Sequence, residues 1–154
     1  MTILSAQTIR AVHKQRPLIT PFKQQYALNG FTGGLGPHGY DIRIAEDIWL
    51  FWGVTRLASS VEHFNMPDNL RGITLNKSSW RRRGLEVGAA TILEAGWRGH
   101  LTLELTLLRP WPLFIRSGTP IAQVEFSFLD QPTDRPYRGK YQDQPPRPVS
   151  AIDA

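Results

Sequence analysis

From residue 18 onward, proline and glycine cut the chain into short apolar runs, and this punctuation restricts the fold more than any other feature of the sequence. The runs fall at 18–20, 40–44, 48–52, 72–75, 99–105, 113–115 and 121–128, each bounded by turn-forming residues. That pattern predicts an all-β sandwich or barrel. Upstream, Ser5 can serve as a helix N-cap, and Ile9 with Val12 begins an apolar face that Pro17 stops, so one short N-terminal helix is expected. Residues 30–39 are rich in glycine but lack the Lys-Ser/Thr ending of a P-loop and the glycine spacing of a dinucleotide fingerprint. They read as a flexible connection. A length of 154 residues suits a single domain spanning 1–154. No internal repeat is present.

Two segments carry chemistry. In Asn76-Lys77-Ser78-Ser79-Trp80-Arg81-Arg82-Arg83-Gly84-Leu85, two hydroxyls and four cations fall within seven residues. Forked donors with compensating positive charge are what a triphosphate requires. In the run 99–105, Leu101, Leu103 and Leu105 alternate with Thr102 and Glu104, so Glu104 points away from the face that packs the core. A carboxylate held there can activate water. On pattern alone, a lone strand Glu is more often a solvated charge, and a basic cluster is as often a solvated face or a nucleic-acid patch as a phosphate site. The paired serines and the following Gly-Leu favour a small anionic ligand. No DNA- or RNA-binding module is recognisable, which weakens a polymeric partner.

Composition narrows the mechanism further. With no cysteine, disulfides, thiol nucleophiles and thiolate zinc sites are excluded. His13, His38, His63 and His100 are scattered without metal-ligand spacing, so deamination of a base, which commonly uses zinc held by His and Cys, would here proceed without zinc. A formal charge of +5 favours an anionic ligand. No stretch approaches the roughly 20 apolar residues of a membrane helix, and the amino end lacks a signal-peptide core. A cytoplasmic protein without membrane association is expected. The segment 131–154, rich in Pro, Gln, Arg and Asp, has too little apolar surface to order itself by burial and is expected to be flexible.

The ordered set Lys-Ser-Ser-x-x-Arg-x-Gly-Leu, then Glu94-Ala95-Gly96-Trp97-x-Gly-His-x-Thr-Leu-Glu-Leu, resembles the dCTP deaminases, which share a fold with the trimeric dUTPases. The likeness continues through Gly39-Tyr40-Asp41-Ile42-Arg43-Ile44, Gly118-Thr119-Pro120-Ile121-Ala122-Gln123 and the tail Tyr137-Arg138-Gly139-Lys140-Tyr141-Gln142-Asp143-Gln144. It implies a distorted jelly-roll β-barrel of the dUTPase type, assembled as a homotrimer with nucleotide sites shared between subunits. The implied reaction is hydrolytic deamination of dCTP to dUTP and ammonia in dUTP and dTTP biosynthesis, with Glu104 as the catalytic carboxylate. Lys77, Ser78, Ser79 and Arg82 would hold phosphates, Glu94 the deoxyribose 3′-hydroxyl, and Thr102 and Gln123 further parts of the substrate. The tail, through Tyr137, Lys140, Tyr141 and Gln144, would close over the nucleotide. Magnesium would ride on the triphosphate, bound by substrate oxygens and water, with no protein metal site.

Departures from the family pattern are informative. Lys77 replaces a frequent Arg, keeping the charge and losing the planar fork. Trp80 and Arg81 are bulkier than the residues often found there, and Glu94 replaces a frequent Asp. The tyrosine that dUTPases place shortly after that Asp is missing, and Trp97 occupies its neighbourhood, which counts against plain dUTPase activity. Diphosphatase activity, alone or joined to deamination, and a nucleotide-binding regulator without turnover are the competing readings. Arg83 reads as a surface charge, His100 as a satisfied or solvent-facing histidine, and Trp49, Trp52, Trp97 and Trp111 as core or subunit-contact residues.

Overall fold

A computed structural model describes residues 2–88 and 91–153. Helix α1 (Ala6–Gln15) follows Ser5 and buries Ile9. The strands are β1 (Ile19–Thr20), β2 (Gln25–Leu28), β3 (Phe31–Leu35), β4 (Tyr40–Arg43), β5 (Ile48–Leu50), β6 (Thr55–Asn65) and β7 (Leu70–Asn76). After the one-turn helix α2 (Ser78–Arg81) come β8 (Leu85–Val87), β9 (Ile92–Leu93), β10 (Arg98–Leu107), β11 (Leu113–Ile115) and β12 (Pro120–Phe128). They form a four-stranded sheet, β1-β6-β10-β8, a six-stranded sheet, β2-β3-β4-β12-β7-β9, and the pair β5-β11.

The two larger sheets face each other across one core. Tyr40 and Ile42 from β4, Val124 and Phe126 from β12, Phe64 from β6, and Leu103 and Leu105 from β10 are all buried. Phe64 meets Phe126 with ring centroids 6.4 Å apart and Trp97 at 6.5 Å. Isolated bridges join Ile44 to Ser60 and Trp52 to Leu107, so the sheets curl into one another at their corners. This is the all-β, barrel-like architecture that the punctuated sequence predicts.

One expectation needs correction. The glycine-rich segment is not a flexible connection but β3, paired with β2 and β4. A Cβ at Gly33 would lie 2.4 Å from the Tyr26 ring, so the missing side chain is required for close packing rather than for mobility. Strand β6, the longest in the fold, escapes the apolar pattern because its inward positions include Ser60 and Glu62 beside Ala58 and Phe64. Glu62 is fully buried and accepts hydrogen bonds from the Arg43 backbone N–H at 2.8 Å and from Arg43 Nε at 2.7 Å. Burial pushes its carboxyl pKa up, against the opposing pull of Arg43. The tryptophans also divide. Trp97 is core, as one of the two expected placements has it, and Trp49, Trp52 and Trp111 are 52%, 66% and 61% exposed in the chain.

Candidate functional site

Strand β10 does what its alternation predicts. Leu101, Leu103, Leu105 and Leu107 turn inward, and Glu104 is exposed on the opposite face. There it opens onto a cavity of about 370 Å³, which Glu94, Thr102, Tyr137 and Gln144 also line. Thus five residues separated by up to fifty positions in sequence converge on one concavity. Thr91, Ile92, Trp97, Leu101, Tyr141, Val149 and Ala151 complete the wall. The lining joins buried Trp97 and Leu101 to two exposed carboxylates, a mixture suited to a flat heterocycle joined to a polar sugar.

Glu104 is held by its strand. Its backbone pairs with Leu57 of β6, and its carbonyl accepts the Gly88 N–H at 2.8 Å. A Cβ at Gly88 would stand 3.3 Å from Glu104 Cβ, so a side chain there would crowd the base of the Glu104 side chain. Glu94 closes the turn that starts β10, its carbonyl accepting the Trp97 N–H at 3.0 Å. The Trp97 indole N–H in turn donates to the Tyr141 carbonyl at 2.7 Å.

The tail supplies the remaining wall. Tyr137 N–H donates to the Ala95 carbonyl at 2.8 Å, His100 N–H to the Gln144 carbonyl at 3.0 Å, and Val149 N–H to Thr102 Oγ1 at 3.1 Å. The Tyr137 hydroxyl accepts the Tyr141 N–H at 3.1 Å. Arg98 and Asp143 form an exposed ion pair that holds the Asp143 carboxyl below its ordinary range. Lys140 donates to the Ile152 carbonyl and does not line the cavity. His100 is satisfied, with Nδ1 3.1 Å from the Ser60 carbonyl.

The phosphate candidates lie elsewhere. The described lining of the Glu104 cavity includes none of Lys77, Ser78, Ser79, Arg82 and Gln123. Ser78 and Ser79 open α2, and Arg82 follows it, exposed, its N–H donating to the Ser78 carbonyl at 3.0 Å. Ser79 Oγ is buried without a hydrogen-bond partner among the described residues. Lys77 is not a free cation, because Nζ meets Asp41 Oδ2 at 2.5 Å with its side chain only 15% exposed. Burial pushes the Asp41 carboxyl pKa up, while the Lys77 ammonium draws it down. Arg81 pairs with Glu86 at 2.7 Å. Gln123 and Asp41 line a second cavity, of about 490 Å³, against Tyr26 and Gly33. Within one chain the expected phosphate residues and Glu104 therefore do not line one cavity.

Asp41 appeared in the sequence only within a motif. Its value as a partner is visible once β4 and the end of β7 are set on either side of β12. Thr91, Ile92 and Val149 carry no sequence signal at all, since their contribution is shape. Among the described residues no three His, Cys, Asp or Glu gather as a possible metal site, and no helix is long and apolar enough to cross a membrane.

Comparison with known proteins agrees with this geometry. The dCTP deaminase-like family profile matches residues 42–129. A dCTP deaminase of Campylobacter curvus is 30% identical over 177 aligned positions, covering 94% of this chain and 95% of its own length. Among solved structures, the dCTP deaminase of Agrobacterium tumefaciens superimposes with a TM-score of 0.64 at 17% identity, over 80% of this chain and 47% of that one. The EIAV dUTPase superimposes with a TM-score of 0.58 at 18% identity, over 80% of this chain and 97% of its own. At such identities the structural likeness establishes the shared fold, and the sequence relationship goes further: the chain belongs to the dCTP deaminase-like family.

Proposed function

We propose that this protein deaminates dCTP by zinc-independent hydrolysis, giving dUTP and ammonia for dUTP and dTTP synthesis in the cytoplasm. The observation that carries the proposal is the convergence of Glu104, Glu94, Thr102, Tyr137 and Gln144 on one cavity. In this reaction Glu104 takes a proton from water as the water oxygen bonds to C4 of cytosine and passes it to N3, then takes the remaining hydroxyl proton and gives it to N4 as the C4–N4 bond breaks, the C4 carbonyl forms and ammonia leaves. Glu94 receives the sugar hydroxyl. The tail, already laid against β10 through Tyr137, Gln144 and Val149, acts as the lid that excludes water, with Lys140 meeting phosphate once substrate is bound.

The separation of the Ser78–Arg82 segment from this cavity favours a trimer in which one copy presents Glu104 and the next presents the phosphate donors. Magnesium fits such a site as a companion of the triphosphate: the donor set offers hydroxyls and cations rather than a carboxylate cage, which suits an ion held by phosphate oxygens and water. The test measures ammonia and pyrophosphate released from dCTP by purified protein in magnesium, with zinc chelated throughout. Ammonia alone is expected. Pyrophosphate alone would mean a diphosphatase, both products a bifunctional enzyme, and neither a binding protein.

A further inference from the structure

Helix α2 opens on Ser78 and Ser79 and is followed by Arg82, yet it is four residues long and its N-cap, Lys77, makes no side-chain capping bond. A single turn of this kind is not stable by itself. What fixes it is Trp80, whose side chain is buried and whose indole N–H donates to the Pro120 carbonyl at 2.7 Å. One face of the indole is covered by Phe31, with ring centroids 4.4 Å apart and planes 13° from parallel. The Arg83 guanidinium lies 4.6 Å from the Phe31 ring and 5.4 Å from the Trp80 ring, closing the stack.

Phe31 is itself rigidly mounted. It follows the two-residue turn Asn29-Gly30, both at positive φ, that joins β2 to β3, the arrangement that matches strand twist in tight hairpins. Asn29 Nδ2 donates to Thr119 Oγ1 at 3.0 Å, which pins the hairpin tip beside Pro120. Behind it, Tyr26 packs over Gly33 so closely that no Cβ fits between them. The hairpin and Pro120 thus grip the indole from two sides.

We propose that Phe31 is a positioning residue for the triphosphate: by stacking on Trp80 it holds α2 in the geometry at which Ser78, Ser79 and Arg82 meet phosphate. The inference rests on the reading of those three residues as phosphate contacts. Without the flat ring the single turn samples unwound states, and the loss falls on triphosphate affinity rather than on the chemistry at Glu104.

The experiment compares wild type, Phe31→Ala and Phe31→Tyr by calorimetric binding of dCTP and of deoxycytidine, together with KM and kcat for ammonia release. Phe31→Ala should raise the dCTP Kd and KM about tenfold, the scale of one lost aromatic stack, with kcat and deoxycytidine affinity within about twofold. Phe31→Tyr, which keeps the ring, should behave as wild type. Should Phe31→Ala not fold, Phe31→Leu fills the volume without a flat face and should show the same selective loss. Unchanged dCTP binding in the variants, equal losses for dCTP and deoxycytidine, or a Tyr variant as impaired as the Ala variant would overturn the assignment. Wild type that binds dCTP without releasing ammonia would refute the deaminase reading while leaving the Phe31 comparison decisive; wild type that binds no dCTP would refute both.

Discussion

In the proposed reaction Glu104 and Arg82 would divide the work by charge and by place. Glu104 lines a cavity with Trp97 and Leu101, where a carboxylate could take and return a proton; Arg82 stands exposed beside the paired serines, where a fixed cation could only bind. Glu104→Gln keeps shape and hydrogen-bonding capacity but removes the basic oxygen. The variant should bind dCTP nearly as wild type does and release no ammonia. Turnover within about tenfold of wild type, ~1.4 kcal/mol in the barrier, would remove Glu104 from the chemistry. Arg82→Ala should behave in the opposite way, weakening dCTP by roughly 1.5–3 kcal/mol, the worth of a charge-assisted contact, with deoxycytidine affinity unchanged. Equal losses for nucleotide and nucleoside would make Arg82 a structural residue. Lys77 is a poorer candidate than its charge suggested, because Asp41 already neutralises it at 2.5 Å.

At the scale of elements, the tail is the segment whose sequence and structure must be read together. Its composition gives it little apolar surface, and it lies on the barrel by borrowing partners: the Ala95 carbonyl, the His100 N–H, Thr102 Oγ1 and the Trp97 indole. Deleting residues 136–154 should leave a folded barrel, since β12 ends at Phe128, but one with little deaminase activity. Full turnover by the truncated protein would end the lid reading. The same logic explains what was legible beforehand. β10 and β12 were visible because leucines and other apolar residues alternate or run continuously through them, and β11 because turn formers bracket it. β6 was not, since Ser60 and Glu62 face inward: the Ser60 hydroxyl donates locally to the Glu62 carbonyl, and the other partners, Arg43 and the Leu101 N–H, are distant in sequence. β3 was not, since glycines that serve close packing under Tyr26 look the same in sequence as glycines that serve flexibility. The carboxylates of the site were legible from a motif and an alternation, while the walls contributed by Thr91, Ile92 and Val149 exist only once the chain has folded.

For the whole molecule, the proposed function turns on where the phosphate donors of the Glu104 cavity come from. None of residues 78–82 lines the Glu104 cavity, and in the proposed trimer the phosphate donors would come from another copy, arranged head to tail in a closed ring as cyclic trimers allow. This predicts complementation. Glu104→Gln and Arg82→Ala proteins, each impaired alone at low dCTP, should regain activity when they are unfolded together and reassembled. In a random equal mixture, a site is intact when the chain giving Glu104 carries Arg82→Ala and its neighbour giving Arg82 carries Glu104→Gln, which occurs for about one site in four in a head-to-tail ring. Ammonia release should therefore return to about a quarter of the wild-type rate. If each site were built from one chain, every site in the mixture would retain one of the two lesions. Activity would then stay at the average of the separate variants, and the shared-site trimer would have to be abandoned.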